Sequence, residues 1–288
     1  MIPDVPAVIT IPFDPVLLRI GGLGVHWYGV AYVIAFAVGM RMTTGLLQRR
    51  GFTSKQCSDL YWWNIFVGLL GARLYFVIQQ PNLADYLSHP IEIVAVWKGG
   101  MAFFGALLAC LATTVVFCQR NGLSVWSALD AGALFATLPQ AIGRVGNIIN
   151  GDILGPPSTL PWATRYTSPH TFAPVPGVAY QPAGAYELLA SLLLFAVVGF
   201  VLGRHLPSGS AAVAYLVGYP LTQVALFFLR ATEPVLLFGL KQAQLTALAV
   251  LFIVVPVLLV LRRRYPGAFL GAAAQPDPSP VRPAVEAG

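Results

Sequence analysis

Charge is what this chain has least of. Of its 288 residues, 10% are charged and 57% are hydrophobic, whereas soluble domains carry about 25% charged residues. With a mean hydropathy of +0.73, that shortage excludes an ordinary soluble domain and indicates a polytopic membrane protein. Cysteine is scarcer still. Cys57, Cys110 and Cys118 show neither metal-ligand nor redox spacing and read as packing residues, so neither metal nor cofactor is expected. A basic n-region is missing from the first residues, which offer Asp4 and Asp14 before Arg19. No cleavable signal peptide is expected, and the first transmembrane helix should direct insertion. Internal repeats are missing too, which weakly disfavours transporters built from duplicated halves. The net charge of +6 lies in short loops and the tail, so it concerns topology and anionic lipid, not nucleic acid.

What the chain does have is a series of apolar runs. A run of about 20 residues can cross the hydrocarbon layer, and seven read as helices near 22–46, 60–79, 93–118, 126–149, 185–204, 210–230 and 242–262. The expected fold class is all-α, a polytopic membrane bundle of about seven transmembrane helices. Residues 1–21 are then an outside N-terminal segment, 22–262 the transmembrane domain, and 263–288 a cytoplasmic tail, disordered by its Ala- and Pro-rich composition. The segment 151–184 contains seven prolines, is too polar to span, and should form an extramembrane loop or small head. One set of loops and the tail hold ten basic residues: Arg41, Arg49, Arg50, Lys55, Arg120, Arg204, Arg262, Arg263, Arg264 and Arg282. The other side holds five: Arg19, Lys98, Arg165, Arg230 and Lys241. The positive-inside rule therefore places the N-terminus outside and the C-terminus in the cytoplasm.

Against this apolar background one stretch stands out: Gly143-Arg144-Val145-Gly146-Asn147-Ile148-Ile149-Asn150-Gly151-Asp152, followed by Ile153-Leu154-Gly155. A charge at bilayer depth costs about 2.5–3.5 kcal/mol on insertion scales, so such residues usually face the bundle interior and mark a ligand site. A lone arginine could simply snorkel to the interface; an arginine, two asparagines and an aspartate with interleaved glycines favour a site. The expected topology gathers further groups on the same outer side: Tyr28, Arg73, the run Trp97-Lys98-Gly99-Gly100-Met101, Tyr186-Glu187, Arg230 and Lys241. Polar groups confined to one leaflet suit an interfacial pocket better than a channel. A guanidinium there offers paired donors to a phosphate, so an anionic phospholipid headgroup is the expected ligand.

The order Tyr28-Gly29, Gly71-Ala72-Arg73-Leu74, Gly99-Gly100-Met101, the Gly143 to Asp152 stretch, then Tyr186-Glu187 resembles the prolipoprotein diacylglyceryl transferases over roughly residues 20–262. That resemblance implies an enzyme of the bacterial inner membrane that moves diacylglyceryl from phosphatidylglycerol to the lipobox cysteine of a prolipoprotein signal peptide, releasing glycerol phosphate. It implies Tyr28, Arg144 and Asp152 as catalytic residues. Arg73, Asn147, Asn150, Gly155, Tyr186, Glu187 and Arg230 join Arg144 in substrate binding. The chain also departs from the family pattern. Asp152 stands for the usual glutamate, Phe104 for a histidine, Gln223 for an arginine and Phe227 for a glutamate, and Gln181 to Ala185 lack the usual histidine, serine and glutamine. Two other readings stay open: a catalytically altered paralogue that binds phospholipid or lipoprotein on the same scaffold, and, ranked last, a small-solute transporter. Oligomeric state is not legible.

Overall fold

The computed structural model describes residues 8–264 apart from 22, 81, 96–99, 205 and 232–234. Among the described residues, seven long helices lie in the regions of the expected spans: α1 (Trp27–Arg49), α2 (Ser54–Ile78), α5 (Phe103–Arg120), α6 (Val125–Asn150), α7 (Ala183–Leu202), α8 (Ser210–Leu226) and α9 (Gln242–Arg264). Two short helices, α3 (Leu83–Ser88) and α4 (Pro90–Ile93), lie between α2 and α5. Among the described residues, α1, α2, α5, α7 and α8 with the turn that follows it are long and apolar enough to cross a membrane, and α9 has a shorter apolar stretch, Gln242–Val257. α6 falls outside that group; Asp130, Gln140, Arg144, Asn147 and Asn150 lie within it. The chain is a polytopic membrane helical bundle.

Glycine sets the closest helix pairs. Against lipid, helices gain nothing from the hydrophobic effect and associate through tight packing at small residues. α1 runs along α6, and a Cβ on Gly146 would lie 2.9 Å from the Tyr28 Cα. A Cβ on Gly39 would lie 2.7 Å from the Phe135 ring. α2 runs along α5, where Gly71 and Gly105 bring the two backbones into contact.

At the end of the bundle that holds the short loops 50–53, 121–124 and 203–209, helix starts are capped by side chains. Thr53 and Gln56 form a capping box on α2, and Ser124 accepts from the Ser127 backbone at the start of α6. The cap on α8 comes from another helix. Asp130 of α6 is 1% exposed, accepts from the backbone N–H groups of Gly209 (2.8 Å) and Ala212 (2.9 Å), and takes a third bond from Arg50 Nη1 at 2.7 Å. A carboxylate at a helix N-terminus meets unpaired N–H donors and the positive end of the macrodipole. One acid thus ties together the end of α1, the start of α6 and the start of α8. Leu47, Phe52, Cys57, Leu60 and Cys118 pack beneath it.

The opposite end carries the strands. β1 (Ile9–Ile11) pairs in parallel with β4 (Thr164–Tyr166), which pairs antiparallel with β5 (Ala179–Tyr180). β2 (Val16–Ile20) and β3 (Leu23–His26) form a hairpin leading into α1. The segment after α6 is therefore a small head, and the N-terminal segment supplies one of its strands. Ile11, Leu154, Tyr166, Ala173 and Tyr180 form its core, and Tyr166 Oη donates to the Ile148 carbonyl at 2.8 Å, seating the head on α6.

Three sequence expectations shift. The helix expected from 93 begins only at Phe103, because the chain before it turns through Gly100 (φ 70°), a left-handed conformation that interrupts a helix. Arg41 belongs to α1, not to the loop after it. The first span starts at Trp27 after the hairpin, not at 22. Trp97, Lys98, Gly99, Arg282 and the tail beyond 264 lie outside the described residues.

Replacing Asp130 with Ala strands two helix-start donors and the Arg50 cation. The expected cost is about 2 kcal/mol, the upper end for a lost cap, read as a lower unfolding temperature in detergent. Arg50→Ala should cost less, because both backbone donors keep their acceptor.

Candidate active site

The head end of the bundle brings three ionised side chains from three helical elements to one point. Arg144 projects from the last two turns of α6, Glu187 from the start of α7, and Arg230 follows the 3-10 turn Phe227–Leu229 that ends α8. Glu187, 2% exposed, lies between the two guanidiniums. Its Oε1 accepts from Arg230 Nε at 2.6 Å, and its Oε2 stands 2.8 Å from Arg144 Nη2. The second contact lacks hydrogen-bond alignment, so it is a Coulombic pairing. Arg230 also stacks on the Phe227 ring at 4.2 Å. A buried carboxylate of this kind is tolerated only when paired, and here it has two partners. Arg144 stays partly open, with 19% of its side chain exposed.

From Arg144 a polar chain leads to the head. Arg144 Nη1 donates to Asn147 Oδ1 at 3.1 Å, one helical turn on, and Asn147 Nδ2 donates to both oxygens of Asp152 at 3.1 Å. Asn147 thus reads the cation with its carbonyl and the carboxylate with its amide. α6 ends at Asn150 because Gly151 adopts φ 75°, which turns Asp152 back toward Asn147. Asp152 keeps an open face, yet desolvation by the chain behind it holds its pKa above the ordinary carboxylate value, against the lowering effect of the Asn147 bonds. Asn150 is buried; its backbone carbonyl accepts from Thr171 Oγ1 and Phe172 N, while its Oδ1 has no partner among the described residues. Tyr28, against Gly146, lies close enough to Asp152 and Arg144 to feel both charges, and its hydroxyl donates to the Tyr32 hydroxyl at 3.1 Å.

The remaining sequence-derived site residues are placed differently. Gly155 is a point of close passage: its N–H donates to the Gln181 carbonyl, and a Cβ there would meet Gln181 and the Leu229 carbonyl. Arg73 is buried on α2 and reaches the connection to α5, where it donates to the Glu92 carbonyl at 2.7 Å and the Gly100 carbonyl at 3.3 Å. It organises that connection and makes no described contact with the Arg144 network. Tyr186 accepts from Trp162 Nε1 at 2.7 Å and so braces α7 against the head. Phe104 packs edge-on against Phe103. His26 contacts its own strand at the Gly24 carbonyl, and His170 pairs with Asp14.

Two residues join the cluster: Tyr219, which the sequence reading did not select, and Lys241, which it placed on the same side without assigning it a role. Tyr219 of α8 interacts electrostatically with Arg144, Glu187 and Arg230. It stacks on Tyr215 one turn earlier, and that i, i+4 pair of hydroxyls in an apolar helix was the available signal. Lys241 contacts the backbone that carries Arg230.

Comparison with known proteins adds an independent observation. The profile of the family described as prolipoprotein diacylglyceryl transferase matches residues 15–261. A phosphatidylglycerol–prolipoprotein diacylglyceryl transferase of Bordetella avium (strain 197N) is 36% identical over 212 residues, covering 72% of this chain and 78% of the relative. The same-named protein of Aromatoleum aromaticum is 36% identical over 242 residues, 81% of this chain and 89% of the relative. That of Methylobacillus flagellatus is 32% identical over 262 residues, 88% and 98% respectively.

Glu187→Gln leaves two facing guanidiniums without their shared counterion. Breaking a buried pair in this way costs about 3–5 kcal/mol, so a large fall in unfolding temperature is expected in detergent. A variant as stable as the wild type would show that the arginines are held by other groups.

Proposed function

The chain belongs to the prolipoprotein diacylglyceryl transferase family, and from that premise we propose that it transfers the diacylglyceryl group of phosphatidylglycerol to the lipobox cysteine of prolipoprotein signal peptides. The observation that carries this reading is the partly open Arg144, paired behind by Glu187 and directed sideways by Asn147. Its free surface suits one phosphodiester anion, and fixed donors aimed at a departing phosphate are worth most in a water-poor site. In the reaction the cysteine sulfur forms a bond to the terminal glycerol carbon of the diacylglyceryl group. The bond from that carbon to the phosphate oxygen breaks, its electron pair leaves with the oxygen, and glycerol phosphate departs. Arg144, with Arg230 behind Glu187, stabilises that leaving group.

A cysteine thiol of pKa about 8.5 needs a proton acceptor. Phe104 cannot serve. Both carboxylate oxygens of Glu187 are already engaged by guanidiniums. Asp152 is the better acceptor, with an open face and a raised pKa. Tyr28, beside Asp152 and Arg144, orients lipid or thiol, and the Asn150 Oδ1 accepts from a headgroup hydroxyl. The second reading, a paralogue that binds phospholipid without turnover, draws on one observation: Phe104 and Gln223 stand where the family pattern has ionisable side chains.

Purified protein in detergent, given phosphatidylglycerol and a lipobox peptide, is expected to release glycerol phosphate only when the peptide has its cysteine. Arg144→Ala should lower the rate at least about 100-fold, the scale of losing a transition-state donor. Phosphatidylglycerol binding through Arg144 with no release would establish the second reading.

The site end is the outer end in this proposal, because Arg49, Arg50, Lys55, Arg120 and Arg204 sit at the other end and basic loops stay in the cytoplasm. A membrane-impermeant maleimide should label Thr159→Cys in intact spheroplasts and spare Gln119→Cys. The reverse pattern would invert the topology.

A further inference from the structure

Lys241, in the short strand β6 (Leu240–Lys241) just before α9, is 8% exposed, an unusual place for an ammonium in a chain with so little charge. Its Nζ donates to the Phe227 carbonyl at 2.7 Å and to the Arg230 carbonyl. These carbonyls bracket the four residues that close α8. The last carbonyls of a helix lack intrahelical partners and carry the negative end of the macrodipole, so a cation with several donors is well matched to them. Lys241 is itself anchored. Its backbone N–H donates to Gln244 Oε1 at 2.9 Å, and the fully buried Gln244 donates from Nε2 to the Val224 carbonyl at 2.9 Å. Thus Lys241 and the start of α9 hold the end of α8 and the turn after it at Val224, Phe227 and Arg230 in succession.

The gripped segment carries the second cation of the site. Arg230 stacks on Phe227 and donates to Glu187, so the ring and the guanidinium both hang from backbone that one ammonium holds. We propose that Lys241 is a positioning residue that keeps Arg230 on Glu187 and thereby keeps the Glu187 charge divided between Arg230 and Arg144. The inference rests on the reading of Arg144 as the phosphate-binding cation. With Arg230 displaced, Glu187 pairs with Arg144 alone, and an incoming phosphate meets an arginine already neutralised.

The test is a double-substitution cycle on the full chain in detergent, read by glycerol phosphate release and by the thermal shift that phosphatidylglycerol produces. Lys241→Met is expected to lower turnover by up to about 100-fold, the scale of a 1 Å misplacement at a reacting centre, and to cost nothing further in an Arg230→Gln background. Lys241→Arg, which keeps a cationic donor at the same carbonyls, should restore most of the turnover. If Lys241→Met does not fold, Lys241→Gln, which keeps one donor, replaces it in the cycle. Equal losses in both backgrounds, or wild-type turnover in the single variant, would overturn the inference and leave the transferase reading standing. If wild-type protein releases no glycerol phosphate, the transferase reading fails by itself. The cycle is then scored on the thermal shift, where coupling between Lys241 and Arg230 supports the positioning role and additivity, or no shift at all, overturns it.

Discussion

Glu187 is a carboxylate in the interior of a membrane bundle, and such a group persists only where cations are brought to it. Two are: Arg144 from α6 and Arg230 from the end of α8. Each is also difficult to bury without a counterion, so the three side chains make a joint demand on α6, α7 and α8, which must meet at that depth. Much at the head end follows from this. α6 stops at Gly151, which brings Asp152 back to Asn147, and the head is seated on α6 through Tyr166.

The same physics is used at the other end of the bundle with a different partner. Asp130 is as deeply buried as Glu187, but it is satisfied chiefly by backbone N–H groups at the start of α8 and secondarily by Arg50. A carboxylate surrounded by fixed backbone donors has no capacity left for a ligand. One paired with partly open guanidiniums leaves cationic surface for an anion. Two buried acids in one chain are thus told apart by what their partners can still bind: Asp130 is a fastener, and Glu187 is a fastener that also sets the charge of a site.

The departures from the family pattern gain meaning from this arrangement. Phe227 takes a position where the pattern has a glutamate, and here it is the ring on which Arg230 stacks. The counterion for Arg230 comes from α7 as Glu187, and the backbone around it is secured by Lys241. A chain that lacks charges at 104, 223 and 227 still assembles a cluster with a net cationic face, from residues carried on different helices.

Composition placed the chain in a membrane, with 10% charge and 57% hydrophobic residues, and the length of its apolar runs, enough for helices to cross the hydrocarbon layer, made it a helical one. The motif from Gly143 to Asp152 was legible as a unit, since Arg144, Asn147 and Asp152 lie within one turn and one helix cap of each other and their contacts are local. Arg73 was indistinguishable from Arg144 by the same reading: each is an arginine in an apolar run near the outer side. Only the packing separates them, because Arg73 donates to backbone carbonyls of the segment after α2 while Arg144 meets a carboxylate 43 residues away in sequence. The roles of Lys241 and Tyr219, the strand that the N-terminal segment lends to the head, and the Asp130 cap on α8 are likewise tertiary decisions. Each depends on a long-range contact between groups whose local sequence says only that they are polar, and the partner of a polar group is chosen by the fold.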